Sequence, residues 1–355
     1  CWGQDCAALA AMWSHPSTFH HNDDSTQSWT EPHFEPEGHW RDYQLPENME
    51  LQNVKSGPAY ECVDADDSIY KDGKMIDKTI NDLKRLSKSD KPFFIAAGLR
   101  KPHLPFNAPK KYWDMYPLEK IDLAANPFRA KDAPEAAYHG WHELRGYFGM
   151  PKKEKMPDDV ARKLIQGYYA CTTYADAQIG RLLDTLDELN LRENTIVLLI
   201  GDHGWNLGEH TLWCKHCNFD TSLRAPMIIS AGGMTKNRTS DSLVEFIDLF
   251  PTLCDLAGLD KPDQLQGKSL VPILKDPKVK VKDAVFSRYH DGESIRTDRY
   301  LYTEWLNEKG QIHSRMLYDH KTDPAENVNI AEKPENVTIV SELSQKLAQL
   351  RQQPW

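Results

Sequence analysis

The stretch that decides the fold is NTIVLLIGDHGWNLGEHTLWCKHCNFD, which runs from Asn194 to Asp220. Residues 195–200 form an uninterrupted apolar run rich in β-branched side chains, which predicts a strand buried on both faces of a parallel sheet. The run ends at the turn Gly201-Asp202-His203-Gly204. Ligands bind at the carboxyl ends of strands in open α/β sheets, so Asp202 and His203 are candidates for metal or substrate chemistry.

An ammonium group follows these two possible ligands. Lys215 lies twelve residues after His203, so a cation site and an anion-binding side chain occur in one stretch. An isolated Asp-His-Gly turn is a purely structural strand end about as often as it is a functional site. The functional interpretation therefore depends on the longer string.

That string, G-D-H-G-W-x-L-G-E-H-x-x-W-x-K-x-x-N-F-D, resembles the second metal motif of the sulfatases in the alkaline-phosphatase superfamily. It is most similar to the iduronate-2-sulfatase branch of that family. The resemblance implies that Asp202 and His203 are ligands of a divalent cation, usually Ca²⁺, and that Lys215 contacts sulfate. It also implies a sulfated carbohydrate as the substrate.

A second apolar run, at residues 92–99, predicts another buried strand that leads into Arg100-Lys101-Pro102-His103-Leu104-Pro105-Phe106. We expect burial beside two cations to lower the proton affinity of His103 and to keep it available as an acid or base. A histidine packed under a loop is the alternative. K-P-H-x-P-F resembles a sulfatase segment, which implies that His103 binds sulfate and protonates the leaving alcohol. The resemblance also makes Lys101 a candidate substrate contact.

Phe19-His20-His21-Asn22-Asp23-Asp24 resembles a further sulfatase segment, in which a lysine and a histidine contact sulfate. His20 takes the place of the family histidine and is a candidate substrate-binding and catalytic residue. Ser17 stands where the family has lysine, so one sulfate contact is in doubt. Residues 14–18 superficially resemble the nucleophile motif of the family, but Thr18 replaces its arginine and we interpret the likeness as chance.

The rest of the chain alternates apolar helical periods with short strands. The resemblance and this pattern together predict an α/β fold, an alkaline-phosphatase-like, mostly parallel sheet flanked by helices, with a smaller carboxyl-terminal antiparallel sheet plus a helix. The predicted division is a non-matching segment 1–18, an α/β domain 19–262 and an α+β subdomain 263–355. Helices are predicted at 75–88, from 157 onward, from Asp241 to Gly258 and at 336–351, and strands at 225–230, 284–289, 294–297 and 300–305. Residues 30–70 and 107–157 are predicted to be long loops. The family resemblance implies that the second of them holds substrate-selecting residues, without identifying them.

Two family features are absent from the printed sequence. No cysteine is followed by x-Pro-Ser-Arg, the motif in which sulfatases form their formylglycine nucleophile, and the paired aspartates of the first strand are missing. We therefore interpret the chain as a sulfatase that lacks its amino-terminal part. It is predicted to bind metal weakly, not to turn over, and to leave a sheet edge prone to association.

Composition excludes several classes of function. A net charge of −10 argues against nucleic acid or an anionic membrane surface as the main partner. No apolar run reaches the length of about 20 residues that a membrane span needs, and no signal peptide is recognised. The family resemblance nevertheless implies a periplasmic, extracellular or lysosomal location. The seven cysteines suggest no disulfide framework, and the oligomeric state stays open.

Three hypotheses follow from the sequence. The first is a sulfuric ester hydrolase that acts on a sulfated sugar, and the branch suggests a 2-sulfated uronate. The second is a catalytically silent relative with a carbohydrate-binding or structural role. The third is a phosphoester hydrolase of the same superfamily, which would use serine or threonine as its nucleophile.

Overall fold

The computed structural model describes residues 29–54, 56–234 and 236–352, and the backbone of residues 7–11. By its internal contacts the chain forms two compact units. The first unit comprises Cys1–Leu123 and His142–Glu193, and the second comprises Ala124–Trp141 and Asn194–Trp355. The domain limits at residues 18 and 262 stay predictions based on sequence character.

The first unit contains two parallel strand pairs and the longest helix of the described chain. Its strands are β1 (Ala7–Ala11), β2 (Tyr60–Val63), β3 (Phe93–Ala97) and β4 (Phe106–Pro109). Its helices are α1 (Pro46–Val54), α2 (Lys71–Leu86), α3 (Lys110–Trp113), α4 (His142–Arg145) and α5 (Asp158–Glu188), with 3₁₀ turns at Asp67–Ile69, Leu118–Lys120 and Arg192–Asn194. β1 pairs with β3 from Ala7–Phe93 to Ala11–Ala97, and β2 pairs with β4 from Tyr60–Phe106 to Val63–Pro109.

Three expectations for this unit are corrected. β1 lies beside β3, where the sequence analysis expected the neighbouring strand to be missing, because the short Ala-rich segment carries no alternation that would mark it as a strand. The predicted loop 30–70 contains α1 and β2, and the predicted loop 107–157 contains most of β4 and several short helices. These elements are too short to show a clear hydrophobic period.

The helix α5 organises the first unit, and it begins directly after Pro157 as predicted. It packs against α2, α3 and β4, and the Tyr174 hydroxyl donates to the Asp67 carbonyl while it accepts the N–H of Gly73. Among the apolar and aromatic side chains along α5, Leu164, Ile165 and Leu186 are buried in the core, but Tyr169 is exposed. The apolar and aromatic residues of α5 thus extend beyond the face that the helix buries.

The second unit holds two small antiparallel ribbons and a four-stranded antiparallel sheet. Its strands are β5 (Val197–Ile200), β6 (Asn206–Leu207), β7 (Trp213–Cys214), β8 (Met227–Ser230), β9 (Ala284–Tyr289), β10 (Gly292–Thr297), β11 (Tyr300–Leu306) and β12 (Ile312–Asp319). Its helices are α6 (Asp220–Leu223), α7 (Leu249–Ala257), α8 (Val271–Lys275) and α9 (Val337–Arg351), with 3₁₀ turns at Glu135–Ala137, Glu209–Thr211, Phe246–Asp248 and Pro334–Asn336.

The strand predicted at residues 195–200 differs from its prediction. β5 pairs antiparallel with β8, from Val197–Ser230 to Ile200–Met227, and the described residues form no further strand in this sheet. Because a two-stranded ribbon cannot cover both of its own faces, β5 is half-buried and Ile200 is exposed. The expectation of a strand buried on both faces of a parallel sheet is therefore wrong for β5.

The carboxyl-terminal sheet and helix are confirmed. The strand order is β12-β11-β10-β9, and all three pairings are antiparallel. Val340, Leu343 and Leu347 of α9 pack on the sheet residues Ile295, Tyr302 and Leu317. The helix predicted from Asp241 is α7, which begins only at Leu249 because the preceding residues form an irregular segment and the 3₁₀ turn Phe246–Asp248. Its predicted end is confirmed, and Gly258 ends it in the left-handed conformation at φ +67°.

Membrane insertion through a helix finds no support in the described part of the chain, where no helix is both long and apolar enough to cross a bilayer.

Candidate functional site

The Asp202-His203 turn is held by the backbone on both sides. Gly201 donates its N–H to the Pro226 carbonyl at 3.0 Å, and Gly204 donates to the Ser222 carbonyl at 2.9 Å. A Cβ atom on Gly204 would lie 2.0 Å from the Thr221 carbonyl oxygen, so no other residue fits there. The two glycines therefore fix the place of the turn at the end of β5.

Asp202 and His203 have the donor chemistry of metal ligands. The Nδ1 atom of His203 lies 2.8 Å from the Gly204 carbonyl oxygen, and its Nε2 lies 3.5 Å from Oδ2 of Asp202. An imidazole that donates through Nδ1 keeps a lone pair on Nε2, so one cation could bind both side chains. The Asp202 side chain is 89% exposed.

Two side chains do not complete the coordination sphere of a calcium ion, which takes six to eight ligand atoms. Within residues 29–54, 56–234 and 236–352, no group of three or more His, Cys, Asp or Glu side chains is arranged to hold a metal. The described residues alone therefore do not form a calcium site.

The loop that carries Lys215 is built around the fully buried Asn206. Its amide nitrogen donates to the Cys214 carbonyl at 2.9 Å and to the Ser222 hydroxyl at 2.7 Å, and its oxygen accepts the Thr221 hydroxyl at 2.6 Å. Residues 210, 211, 214 and 216 all have positive φ without being glycine. Such strain persists only where the surroundings fix the backbone, and it concentrates at functional sites.

Lys215 lies over the indole of Trp205, with its Nζ atom 4.9 Å from the ring centroid. His203 stacks on the same indole at a centroid distance of 6.0 Å. The aromatic ring thus holds the ammonium and the imidazole of the motif in one place by cation–π attraction and stacking. This arrangement places the positive charge of Lys215 next to the imidazole of His203.

In the first unit, Asp72 fixes the segment that precedes His103. Its carboxylate accepts the backbone N–H of Arg100 at 3.0 Å and that of Lys101 at 2.8 Å. The guanidinium of Arg100 lies 4.1 Å from the centroid of the Trp40 ring, and burial lowers the pKa of Arg100 to about 10. The chain after β3 is therefore tied to α2 before it reaches the histidine.

His103 contacts a carboxylate, which differs from the expected cationic neighbours. Its Nε2 lies 2.8 Å from Oε1 of Glu143, and its Nδ1 lies 2.6 Å from the Leu104 carbonyl oxygen. Both ring nitrogens face acceptors, which suits an imidazolium with two donors. The expectation of an imidazole beside two cations is wrong, because the Arg100 and Lys101 side chains pack elsewhere.

Lys101 is buried, and its ammonium donates to the Pro105 carbonyl at 2.6 Å. Burial lowers the pKa of this amine. Its role as a substrate contact stays a prediction, as do the roles of His103, Lys215, Asp202 and His203. His20 lies outside the described residues.

Sequence reasoning missed Glu143 and Asn206, which position His103 and the Lys215 loop. Neither belongs to a pattern that the sequence makes visible. Glu326 also supports this loop: its buried carboxylate accepts the N–H of Asp220 at 2.9 Å and contacts Nε2 of His320 at 2.8 Å. The end of the Lys215 loop is thus tied to the carboxyl-terminal part of the chain.

Comparison with known proteins shows what this chain is similar to. The family model described as Sulfatase matches residues 12–259, and the model described as N-sulphoglucosamine sulphohydrolase, C-terminal, matches residues 208–353. Iduronate 2-sulfatase of Homo sapiens is 30% identical over 406 aligned residues, which cover 89% of this chain and 72% of that protein. A sulfatase of Formosa agariphila is 32% identical over 252 residues, 70% of this chain and 48% of that protein.

Two solved structures share the fold. A phosphonate monoester hydrolase from Silicibacter pomeroyi superposes with a TM-score of 0.72 at 21% identity, over 97% of this chain and 77% of its own. A protein solved with its substrate D-glucosamine-2-N,6-O-disulfate superposes with a TM-score of 0.68 at 23% identity, over 79% of this chain and 69% of its own. At these identities the likeness shows the fold alone, and it confirms the predicted alkaline-phosphatase-like class.

The family model covers well over half of the chain, and the match includes the Asp202-His203 turn and the Lys215 loop. The chain belongs to the sulfatase family.

Proposed function

We propose that this protein acts on a sulfated sugar, with a 2-sulfated uronate as the preferred substrate class, as a sulfuric ester hydrolase similar to iduronate 2-sulfatase. The relatives that are 29% and 30% identical over 89% of the chain carry that name. Lys215 and His103 are the proposed sulfate contacts, and His103 is the proposed acid for the leaving alcohol. His20 and Lys101 are further proposed contacts.

The observation that carries the proposal is the fixed, strained loop that holds Lys215 over Trp205. A lysine at the end of a freely moving loop would lose side-chain entropy on binding an anion. The Asn206 hydrogen bonds and the indole remove much of that freedom beforehand. The ammonium is therefore preorganised to bind an anionic group such as a sulfate ester.

We further propose that Asp202 and His203 are two of the ligands of a divalent cation, with calcium as the first candidate. Their donor atoms lie 3.5 Å apart, which suits adjacent ligands of one ion. The remaining ligands have to come from outside the described residues. Calcium titration monitored by calorimetry tests this, because Asp202→Asn is expected to weaken binding at least tenfold relative to the parent protein.

The substrate class is tested by measuring binding rather than turnover, because no cysteine in this sequence is followed by the x-Pro-Ser-Arg of the formylglycine motif. Calorimetric titration with inorganic sulfate and with a 2-sulfated uronate disaccharide is expected to give binding that Lys215→Ala weakens about tenfold. Lys215→Arg keeps the charge and is expected to retain most of the affinity. Lys309→Ala, at an exposed loop position in the same unit, serves as the matched control.

Equal affinity of the parent protein and Lys215→Ala for sulfate would overturn the role of Lys215. Tighter binding of a phosphate monoester than of the matching sulfate ester would favour the phosphoester hydrolase instead. Sequencing the coding DNA upstream of Cys1 distinguishes an active enzyme from a catalytically silent relative. Paired aspartates and a C-x-P-S-R motif in frame are expected for the enzyme, and a stop codon with neither motif beyond it supports the silent relative.

A further inference from the structure

Three aromatic rings from distant parts of the second unit meet at His216, the residue that directly follows Lys215 in the sequence. His139 lies edge-on to His216 at a centroid distance of 5.9 Å, and His216 contacts Tyr289 at 5.6 Å. We call these three residues the ring cluster. His139 belongs to the long connection in which the sequence analysis expected substrate-selecting residues without identifying them.

The segments of His139 and His216 are anchored in one hydrophobic core, which gives these two imidazoles a fixed base. Ala137, two residues before His139, and Cys217, directly after His216, are buried in the same cluster with Phe219 and Trp305. Tyr138 packs on Phe219, with a centroid distance of 5.9 Å. The two imidazoles are therefore placed by the core beside them rather than by one another.

A polar anchor joins the His216 loop to the hairpin that carries Tyr289. The side-chain amide of the buried Asn218 donates to the Gly292 carbonyl at 3.2 Å and to the Ser294 hydroxyl at 3.1 Å. Gly292 pairs with Tyr289 in the β9–β10 ladder. The distance between His216 and Tyr289 is thus set by hydrogen bonds as well as by packing.

The backbone at His216 is strained, which indicates that its position is imposed. Its φ is +78°, and that of Cys214 is +69°, in the left-handed region that non-glycine residues seldom adopt. His139, His216 and Tyr289 are each half-buried as residues. In His139 the Nε2 atom is buried and the Nδ1 atom accepts the N–H of Trp141 at 2.9 Å, so this residue presents ring carbon surface rather than a polar atom. A strained, half-buried imidazole next to a candidate anion contact is typical of a binding surface.

We propose that the ring cluster binds the sugar ring of an acidic saccharide next to the sulfate group that Lys215 contacts. This inference rests on the proposed function and deepens it by assigning the selection of the sugar to three residues. The imidazole of His216 and the phenol of Tyr289 have the N–H and O–H groups that hydroxyl and carboxylate oxygens accept, whereas His139 contributes packing surface. Their flat faces offer apolar surface to the C–H groups of a sugar ring.

The test compares three probes on the full chain: inorganic sulfate, a sulfated uronate disaccharide and the same disaccharide without sulfate. His139→Ala, His216→Ala and Tyr289→Ala are each expected to weaken disaccharide binding about tenfold and to leave sulfate binding within about twofold. His313→Ala, at an exposed histidine of β12, is the matched control and is expected to change neither affinity.

Unchanged disaccharide binding in all three variants would overturn the inference, and so would an equal loss of sulfate binding. If an alanine variant does not fold, as judged by its melting temperature, His216→Phe keeps a ring without the donors and is expected to lose about threefold in disaccharide affinity. Binding of the unsulfated disaccharide that depends on the ring cluster, without any effect of Lys215→Ala on sulfate, would retain this inference and reject the proposed function.

Discussion

At the scale of single residues, one histidine of the second unit lies in its core. His210 is buried and stacks on Phe219 at a centroid distance of 4.2 Å, with Asn126 3.3 Å from its Nε2. Burial lowers the pKa of His210 to about 4, and the charge of Asp323 offsets only part of that shift. This histidine is therefore neutral in the folded protein at pH values where the unfolded chain would protonate it.

We expect His210 to make the second unit sensitive to acid. Its folded pKa lies below the unfolded value of 6.5, so the unfolded state binds more protons and stability falls as pH drops from about 6.5 to about 4. The full loss is about 3 kcal/mol in the free energy of unfolding. Calorimetric melting at several pH values measures it.

The His210→Gln variant removes this titration. It is expected to be less stable than the parent at pH 7 and to lose less of its melting temperature on acidification. His313→Gln, at the exposed histidine of β12, is the control and should follow the parent at every pH. A parallel decline of His210→Gln and parent between pH 6.5 and 4 would show that His210 is not the cause.

At the scale of elements, one buried carboxylate fixes the start of α7. Asp248 is fully buried and accepts the N–H of Glu245 at 2.8 Å and that of Lys268 at 2.7 Å. Its Oδ1 also lies 2.7 Å from the ammonium of Lys282. These contacts tie the first turn of α7 to two other segments of the second unit.

Asp248→Ala is expected to destabilise the second unit by about 3–5 kcal/mol, because it leaves the buried Lys282 ammonium and two N–H groups with fewer partners. Asp255→Ala provides a control on the same helix, where the pair with Lys261 is partly exposed and contributes at most about 1 kcal/mol. Thermal unfolding monitored by circular dichroism compares the two. A similar small shift for both variants would contradict the role assigned to Asp248.

At the scale of the whole molecule, the ribbon of β5 and β8 is only partly covered. Ile200 is 42% exposed and Ile228 is 59% exposed. The register pairs Ile200 with Met227 and Ile228 with Leu199, so these two isoleucines lie on opposite faces of the ribbon. Exposed apolar side chains beside unpaired strand edges promote association between chains.

We therefore expect the protein to self-associate at micromolar concentrations, and Ile228→Lys to reduce that association by placing a charge on the ribbon. Sedimentation velocity across a concentration series measures the effect. Val54→Lys introduces the same charge at an exposed apolar position outside the ribbon and should leave association unchanged. An equal response of both variants would indicate that net charge, and not the ribbon, controls association.

The sequence by itself determined the features that local patterns encode. Apolar periods located α2, α5, α7 and α9, and alternating strands predicted the carboxyl-terminal antiparallel sheet. The long string from Gly201 to Asp220 indicated the family, because residue type and spacing along a single loop carry that information. The helix α2 begins four residues before its predicted start, since polar residues at its first turn hide the period.

Only the tertiary structure decided which distant residues meet. It pairs β5 with β8 in the antiparallel sense, places Glu143 against His103, and brings His139 and Tyr289 to His216. Periodicity and motif spacing describe neighbours along the chain, whereas these contacts join residues between 27 and about 80 positions apart. The partners of the candidate site residues therefore depend on packing that no local pattern records.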